Sequence, residues 1–143
     1  MAKAEEFVGR SYGPMKFTVG IEKVREYATA TKNDHPWHHS EEAAAEIGGV
    51  IAPPMFIVIP AFKPVIACVM DKDLEVNLAK LVHGEQSFDF HKPIQAGAQL
   101  FTTGTIESVR EKGKMYLLKI RTETEDEKGE AVASGLWNLV IRH

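Results

Sequence analysis

The first third of the chain changes from an alternating to a helical pattern of hydrophobic residues. Residues 14–19, "PMKFTV", alternate as a short strand does, and "IEKVREYATAT" follows with a helical period. Gly20 is an acceptable N-cap for this helix. The apolar face of the helix carries Ile21, Val24, Ala28 and Thr31.

A second, shorter helix is predicted over residues 41–47, "EEAAAEI". Ser40 can cap its first turn, and two glutamates lie there, where the helix dipole favours negative charge. The Gly48-Gly49 pair ends the helix.

Residues 50–70, "VIAPPMFIVIPAFKPVIACVM", are apolar apart from Lys63. This length is close to that of a bilayer span, but Pro60 and Pro64 each remove a helical hydrogen bond, and no basic flank is present. We therefore expect a kinked helix in the protein core, enclosed by other elements because it is apolar nearly all round.

The hydrophobic period changes to two from residue 74. "LEVNL" and "EQSFDFH" each alternate, and the turns "EKGK" and "DEKG" separate three longer alternating runs. The predicted strands are residues 74–78, 85–91, 98–110, 115–124 and 130–142. One face of the last strand carries Ala133, Gly135, Trp137, Leu139 and Ile141. The second half is expected to be an antiparallel meander.

Together these elements predict an α+β fold in a single domain, residues 1–143. A single sheet wrapped around the central helix would leave one edge and one face for a second copy. At least a dimer is therefore expected.

Composition narrows the classes of function. Hydrophobic residues make up 44% of the chain and charged residues 26%, which is typical of a globular protein. The net charge of -3 gives no general attraction to phosphate backbones, so no nucleic-acid partner is expected. Cys68 is the single cysteine, which favours a buried thiol in a reducing compartment. The first ten residues, "MAKAEEFVGR", have no apolar run, which favours the cytoplasm over export.

The stretch "KNDHPWHHSEE", residues 32–42, holds three histidines just after the first predicted helix. It is open to three interpretations: a catalytic loop, a metal site or the polar start of a helix. A zinc site needs three or four ligands, and no cysteine or acidic cluster completes His35, His38 and His39. We expect no metal.

Four segments, "REYATATKNDHPWHHSEEAAAEIG", "IAPPMF", "FDFHKPIQAG" and "LWNLVIR", resemble the MaoC-like hydratases and dehydratases, and within them the FAS1-type dehydratase N-terminal group. That group includes the small subunits of the (3R)-hydroxyacyl-ACP dehydratases. The resemblance covers almost the whole chain. It implies a hot-dog fold and an acyl-thioester substrate carried by CoA or by the pantetheine of an acyl carrier protein, with no other cofactor.

The MaoC-like motif runs Gly-Asp-x-Asn-Pro-(Leu or Ile)-His, and its proline aligns with Pro36. Trp37 then takes the aliphatic position and His38 the position of the catalytic histidine. Asn33 falls on the catalytic aspartate and His35 on the asparagine. The resemblance thus keeps the histidine of the dyad and replaces the acid with an amide.

The chemistry of hydration explains why the substitution matters. The reaction needs a base for the attacking water, an acid for C2 of the enoyl thioester, and donors for the charge on the thioester oxygen. Histidine suits the base role at His38. Asn33 can orient the water but cannot carry a proton. Asp34 could replace the missing carboxylate if the loop turned it inward.

A second departure lies in "IAPPM", where the family has Ile-Ala-His-Gly-Met. The glycine that donates its N–H to the oxyanion in active members is Pro54 here, and proline has no N–H. The N–H of Met55 is the nearest substitute. The substrate-binding residues that the resemblance implies are Trp37, Pro54, Met55, Phe56 and Ile59. His91 and Lys92 are interpreted as polar residues at a strand end.

Two hypotheses follow. The leading one is an acyl-thioester hydratase/dehydratase, a hydro-lyase that converts trans-2-enoyl and 3-hydroxyacyl thioesters reversibly. The alternative is a non-catalytic substrate-binding subunit of a heterodimeric MaoC-like dehydratase, which Asn33 and Pro54 favour. A homodimer and a heterodimer with a MaoC-like subunit both stay open.

Overall fold

The computed structural model describes residues 4–143, so the first three residues of the amino-terminal segment lie outside it. The strands are β1 (Ser11–Thr18), β2 (Leu81–Phe90), β3 (Gln99–Lys112), β4 (Met115–Asp126) and β5 (Ala131–Arg142). The α-helices are α1 (Ile21–Ala30), α2 (Glu41–Ala44) and α3 (Val58–Val69). Short 3-10 turns span Ala4–Phe7, Pro36–His38, Ala45–Ile47, Pro54–Ile57, Lys72–Leu74 and Leu78–Lys80.

The five strands form one antiparallel sheet in the order β1-β3-β4-β5-β2. The last three strands form a meander as predicted, but the prediction that the meander also includes residues 85–91 is wrong. The strand β2 precedes the meander in sequence but pairs with β5, at the edge opposite β1. Among the described strands, β1 and β2 are therefore the two with an unpaired edge.

One face of the sheet packs against α3, which contacts β1, β3 and β4. The predicted inward positions of β5 are all buried, and Trp137 Nε1 donates a hydrogen bond to Thr122 Oγ1 at 3.0 Å. Small residues allow the close approach: a Cβ added at Gly104 would lie 3.1 Å from Pro64 Cβ of α3. The prediction for this face of β5 is confirmed.

The first strand begins before the predicted segment. It includes Gly13-Pro14, a dipeptide typical of a turn, and the pairing with β3 shifts register between Tyr12 and Met15. Gly13 has a φ of +108°, and a Cβ added there would lie 2.6 Å from the carbonyl oxygen of Thr102. The glycine therefore marks a bulge inside the strand rather than its start.

The predicted strand at residues 74–78 is wrong. Two 3-10 turns occupy this region, and Glu75 between them has a left-handed backbone with a φ of 53°. Asp71 Oδ1 accepts a hydrogen bond from Asp73 N at 3.0 Å, and Asn77 Oδ1 accepts one from Ala79 N at 3.1 Å. These side-chain caps favour the 3-10 turns over strand pairing, and their effect outweighs that of the short alternating pattern.

The helix predicted from residues 50–70 is present as a 3-10 turn followed by α3, but the sheet covers only one of its sides. On that side Cys68 is fully buried, and burial raises the pKa of its thiol to about 12. On the other side Phe62, Ile66 and Met70 are 47%, 43% and 59% exposed. None of the helices within residues 4–143 has the length and apolar character needed to cross a membrane.

A charged network ties the end of α3 to β1, and it predicts a loss of stability in acid. Tyr12 Oη and Arg10 donate hydrogen bonds to Asp71 Oδ2 at 2.6 and 2.7 Å. These bonds lower the pKa of Asp71 below its ordinary value. The unfolded chain therefore binds the proton more readily, so the stabilisation is present above about pH 4 and is lost as pH falls through the folded pKa.

We expect Asp71→Asn to lower the urea midpoint at pH 7. Between about pH 5 and pH 2, the midpoint of the variant should fall less than that of wild type. Asp73→Asn is the matched control, because the side chain of Asp73 is 64% exposed and binds only Arg10 of the same network. An equal pH dependence in wild type and Asp71→Asn would contradict the prediction.

Candidate functional site

The loop between α1 and α2 begins with a tight chain reversal. Lys32 follows the helix with a φ of 58°, and its N–H donates to Thr29 O at 3.1 Å. Asn33 N–H donates to Ala28 O at 2.7 Å. This pair of bonds is a Schellman motif, in which a left-handed residue satisfies the last carbonyls of a helix. It fixes the backbone of Asn33 at the start of the loop.

His38 lies at the end of the Pro36–His38 turn and is 8% exposed. Its Nδ1 lies 2.7 Å from Ile51 O, and Ile51 N donates to Trp37 O at 3.1 Å. A carbonyl oxygen only accepts, so Nδ1 carries the proton and Nε2 is left with a lone pair. Within residues 4–143, Nε2 of His38 has no hydrogen-bond partner. Every buried polar side-chain atom of the described residues has such a partner, so Nε2 is not buried and is accessible to solvent.

His38 faces a cleft of about 390 Å³. The cleft forms where residues 50–52 run beside the segment after β2, with Ala52 N donating to Ile94 O at 2.8 Å. Its other lining residues are mostly apolar: Ile51, Ala52, Pro54, Phe90, His91, Lys92, Pro93, Ile94 and Val132. His91 also lines the cleft, but it is exposed at its rim, whereas His38 is buried with its tautomer set by Ile51 O. An apolar cleft with a buried, oriented imidazole is suited to an acyl chain whose reactive carbon lies near a base.

The other predicted catalytic residues, Asn33 and Asp34, do not line this cleft. Asn33 is half-buried, and Asp34 is exposed. No carboxylate is among the cleft-lining residues. The structure therefore gives no inward orientation to Asp34, and the roles of both residues stay predictions.

Of the five residues predicted to bind substrate, only Pro54 lines the cleft. Trp37 is half-buried, and its Nε1 donates to Glu46 Oε1 at 3.1 Å. Met55 is 46% exposed and Ile59 is half-buried. Phe56 is fully buried, with its ring 6.2 Å from that of Phe17 and 5.6 Å from that of Tyr27. These contacts give Phe56 a packing role.

The first turn of the helical segment that includes α3 lacks two backbone donors, because Pro53 and Pro54 have no N–H. Phe56 N–H is already bonded to Pro53 O at 2.9 Å. Met55 is the first residue of the turn with an N–H group. Its position next to Pro54, which lines the cleft, keeps it the candidate donor for an oxyanion.

Two polar residues that line the cleft were interpreted from the sequence only as a strand end. Lys92 Nζ binds Asp126 Oδ2 at 2.5 Å and Glu130 Oε2 at 2.8 Å, and this fixes the segment that forms one wall. His91 Nε2 lies 3.2 Å from Ser134 Oγ. The only sequence signal for this wall was the family-like run "FDFHKPIQAG".

A second hollow, of about 420 Å³, lies against β2, β3, β4 and β5 toward the opposite end of the sheet. Arg110, Lys119, Asn138 and Glu85 contribute to its wall, and no histidine is among its lining residues. The hollow thus lacks an imidazole, the side chain best suited to act as a base near neutral pH, and the cleft at His38 is the better candidate site. Within residues 4–143, no three histidine, cysteine or acidic side chains are arranged to hold a metal ion.

The geometry of fold and cleft agrees with comparisons with known proteins. A model of the FAS1-like dehydratase domain region matches residues 6–134. The chain belongs to the FAS1-like dehydratase family. A UPF0336 protein of Streptomyces avermitilis is 39% identical over 145 residues, which span 99% of this chain and 97% of the relative. The predicted resemblance is confirmed.

Solved structures of dehydratases share the fold of this FAS1-like dehydratase family member. The HadBC (3R-hydroxyacyl-ACP dehydratase) complex of Mycobacterium tuberculosis matches with a TM-score of 0.82 and 34% identity, over 94% of this chain and 96% of that one. The (R)-hydratase from A. caviae involved in PHA biosynthesis matches with a TM-score of 0.72 and 17% identity, over 95% and 96%, which shows the fold alone. The predicted α+β hot-dog fold is confirmed.

Proposed function

We propose that the chain is an acyl-thioester hydratase/dehydratase that adds water reversibly to a trans-2-enoyl thioester. The observation that carries the proposal is the state of His38. Its Nδ1–H is held by Ile51 O at 2.7 Å, while Nε2 is unbonded at the apolar cleft. An imidazole whose Nδ1 is held in this way presents Nε2 as the proton acceptor that a general base needs.

In this proposal the acyl chain lies along the apolar cleft and the attacking water lies at His38 Nε2. The side chain of Asn33, which is outside the cleft lining, turns toward this water to orient it. His38 takes a proton from the water as its oxygen bonds to C3, and the C2–C3 π electrons move toward the thioester oxygen. The N–H of Met55 stabilises that oxygen. Because Asn33 cannot carry a proton, His38 returns the same proton to C2, which completes the addition. CoA or a carrier-protein pantetheine carries the acyl group.

A second candidate function is a substrate-binding subunit that is active only with a MaoC-like partner. The cleft contains no carboxylate, and Pro54 stands where active members have the glycine N–H. The HadBC complex, one chain of which is 34% identical to this chain, is an assembly of two different chains. A partner with an intact Asp and His would supply the missing proton carrier.

The exposed edge of the sheet also favours a non-identical partner. Phe62 of α3 is exposed, and its ring stacks on that of Trp137 in β5, the strand that pairs with β2, with 5.8 Å between the centroids. The strand β2, "LVHGEQSFDF", carries two acids and no lysine or arginine. A copy of this chain would bring a second acidic strand to the edge, whereas a partner with basic residues would complement it.

An assay of trans-2-enoyl-CoA hydration tests the proposal, and the loss of the absorbance of the conjugated double bond measures the rate. We expect turnover by the chain alone or after it is mixed with a MaoC-like partner that has an intact Asp and His. Turnover by the chain alone would exclude the second candidate, and turnover only in the mixture would favour it. No turnover in either case, with both chains folded, would contradict the proposed function. Light scattering of the same samples reports whether the assembly is a homodimer or a heterodimer.

A further inference from the structure

The loop that carries His38 runs from Asn33 to His39, and a hydrogen bond between these two residues closes it. His39 Nε2 lies 2.8 Å from Asn33 O, and Arg25 Nε donates to His39 O at 2.9 Å. Arg25 is in turn paired with Glu22 on the same helix. From the sequence, His39 is indistinguishable from an exposed residue at a helix start, so this closure comes from the structure alone.

The contact fixes the tautomer of His39. The carbonyl of Asn33 accepts but cannot donate, so Nε2 of His39 carries the proton. The neighbouring His38 has the opposite tautomer, because its Nδ1 donates to Ile51 O. Two adjacent histidines thus use different nitrogens: His39 closes the loop with Nε2–H, and His38 leaves Nε2 free at the cleft.

The backbone of Asn33 is held on both of its polar groups. Its N–H donates to Ala28 O at 2.7 Å, and its C=O accepts from His39 at 2.8 Å. At the far end of the loop, Trp37 and His38 are held by Ile51: Ile51 N donates to Trp37 O at 3.1 Å, and His38 Nδ1 lies 2.7 Å from Ile51 O. The bond from His39 to Asn33 O therefore joins the Asn33 end of the loop to the end that carries His38.

We infer that His39 is a positioning residue that sets the placement of Asn33 relative to His38. The inference rests on the proposed function, in which Asn33 orients the attacking water. An amide that cannot transfer a proton acts by geometry alone, so its position has a direct effect on the rate. A displacement of about 1 Å in a reacting group can reduce a rate roughly 100-fold.

Two substitutions of His39 separate positioning from packing. His39→Leu places an apolar side chain of similar size there and removes the donor, whereas His39→Gln places an amide N–H near the position of Nε2. We expect His39→Leu to lower kcat about 10- to 100-fold with little change in KM, and His39→Gln to restore most of the rate. His143→Ala is the control, because His143 lies at the far end of β5 beside Glu111.

A wild-type kcat in His39→Leu, a loss that His39→Gln fails to restore, or a rise in KM alone would overturn the inference. Long-range ¹H–¹⁵N spectra give a readout that needs no activity: we expect the Nε2–H tautomer for His39 and the Nδ1–H tautomer for His38. An Nδ1–H tautomer at His39 would overturn the inference by itself. Absent turnover together with the expected tautomers would support the contact while contradicting the proposed function.

Discussion

His38→Ala is expected to lower kcat/KM for hydration of a trans-2-enoyl thioester by about 10²- to 10⁴-fold, the usual contribution of a positioned general base. Within residues 4–143, His38 is the only cleft-lining residue that combines a fixed Nδ1–H with an unbonded, accessible ring nitrogen. The assay is initial-rate hydration of an enoyl-CoA by whichever assembly is active, the chain alone or the chain with its partner.

His38→Ala also removes the hydrogen bond to Ile51 O, and an unsatisfied carbonyl can cost about 1 to 3 kcal/mol. His38→Asn is the matched variant, because its side-chain N–H can replace Nδ1–H while no base remains at the position of Nε2. We expect the Asn variant to be as inactive as the Ala variant but closer to wild type in urea midpoint. Normal turnover by either variant would exclude His38 as the base.

The fold was predictable wherever a pattern was long. The alternation of β5 over twelve residues placed Trp137 and its neighbours correctly on the inner face, since a burial pattern repeated many times outweighs local exceptions. Five residues at 74–78 did not suffice, because the caps of Asp71 and Asn77 favour 3-10 turns there. The pairing of β2 with β5 rather than β3 is a long-range choice that no local pattern encodes.

The candidate site was predictable in part. The motif spacing predicted a catalytic position for His38, because one proline fixes the alignment of the loop, and the structure places that residue in the wall of the cleft. The group that orients the His38 ring was not predictable: Ile51 O acts through its backbone, and its contact joins segments thirteen residues apart in sequence. The closure of the loop by His39 was missed for the same reason, since it depends on a carbonyl and not on a residue type.

Phe56→Ala is expected to lower the free energy of unfolding by about 3 to 5 kcal/mol, as truncation of a fully buried phenylalanine does. Phe56 is 0% exposed and makes edge-to-face contacts with Phe17 and Tyr27. With a urea m-value of about 2 kcal/mol per molar, the midpoint should fall by roughly 2 M. That loss is a large part of the stability of a domain of this size.

Met55→Ala is the control that separates packing from substrate binding, because Met55 is the sequence neighbour of Phe56 and is 46% exposed. Its urea midpoint should stay near that of wild type, since exposed substitutions usually change stability by less than about 0.5 kcal/mol. If Met55 contacts the acyl thioester, its truncation raises KM instead. A stable Phe56→Ala variant with a raised KM would reverse the two roles, since it would place the ring of Phe56 in the cleft rather than in the core.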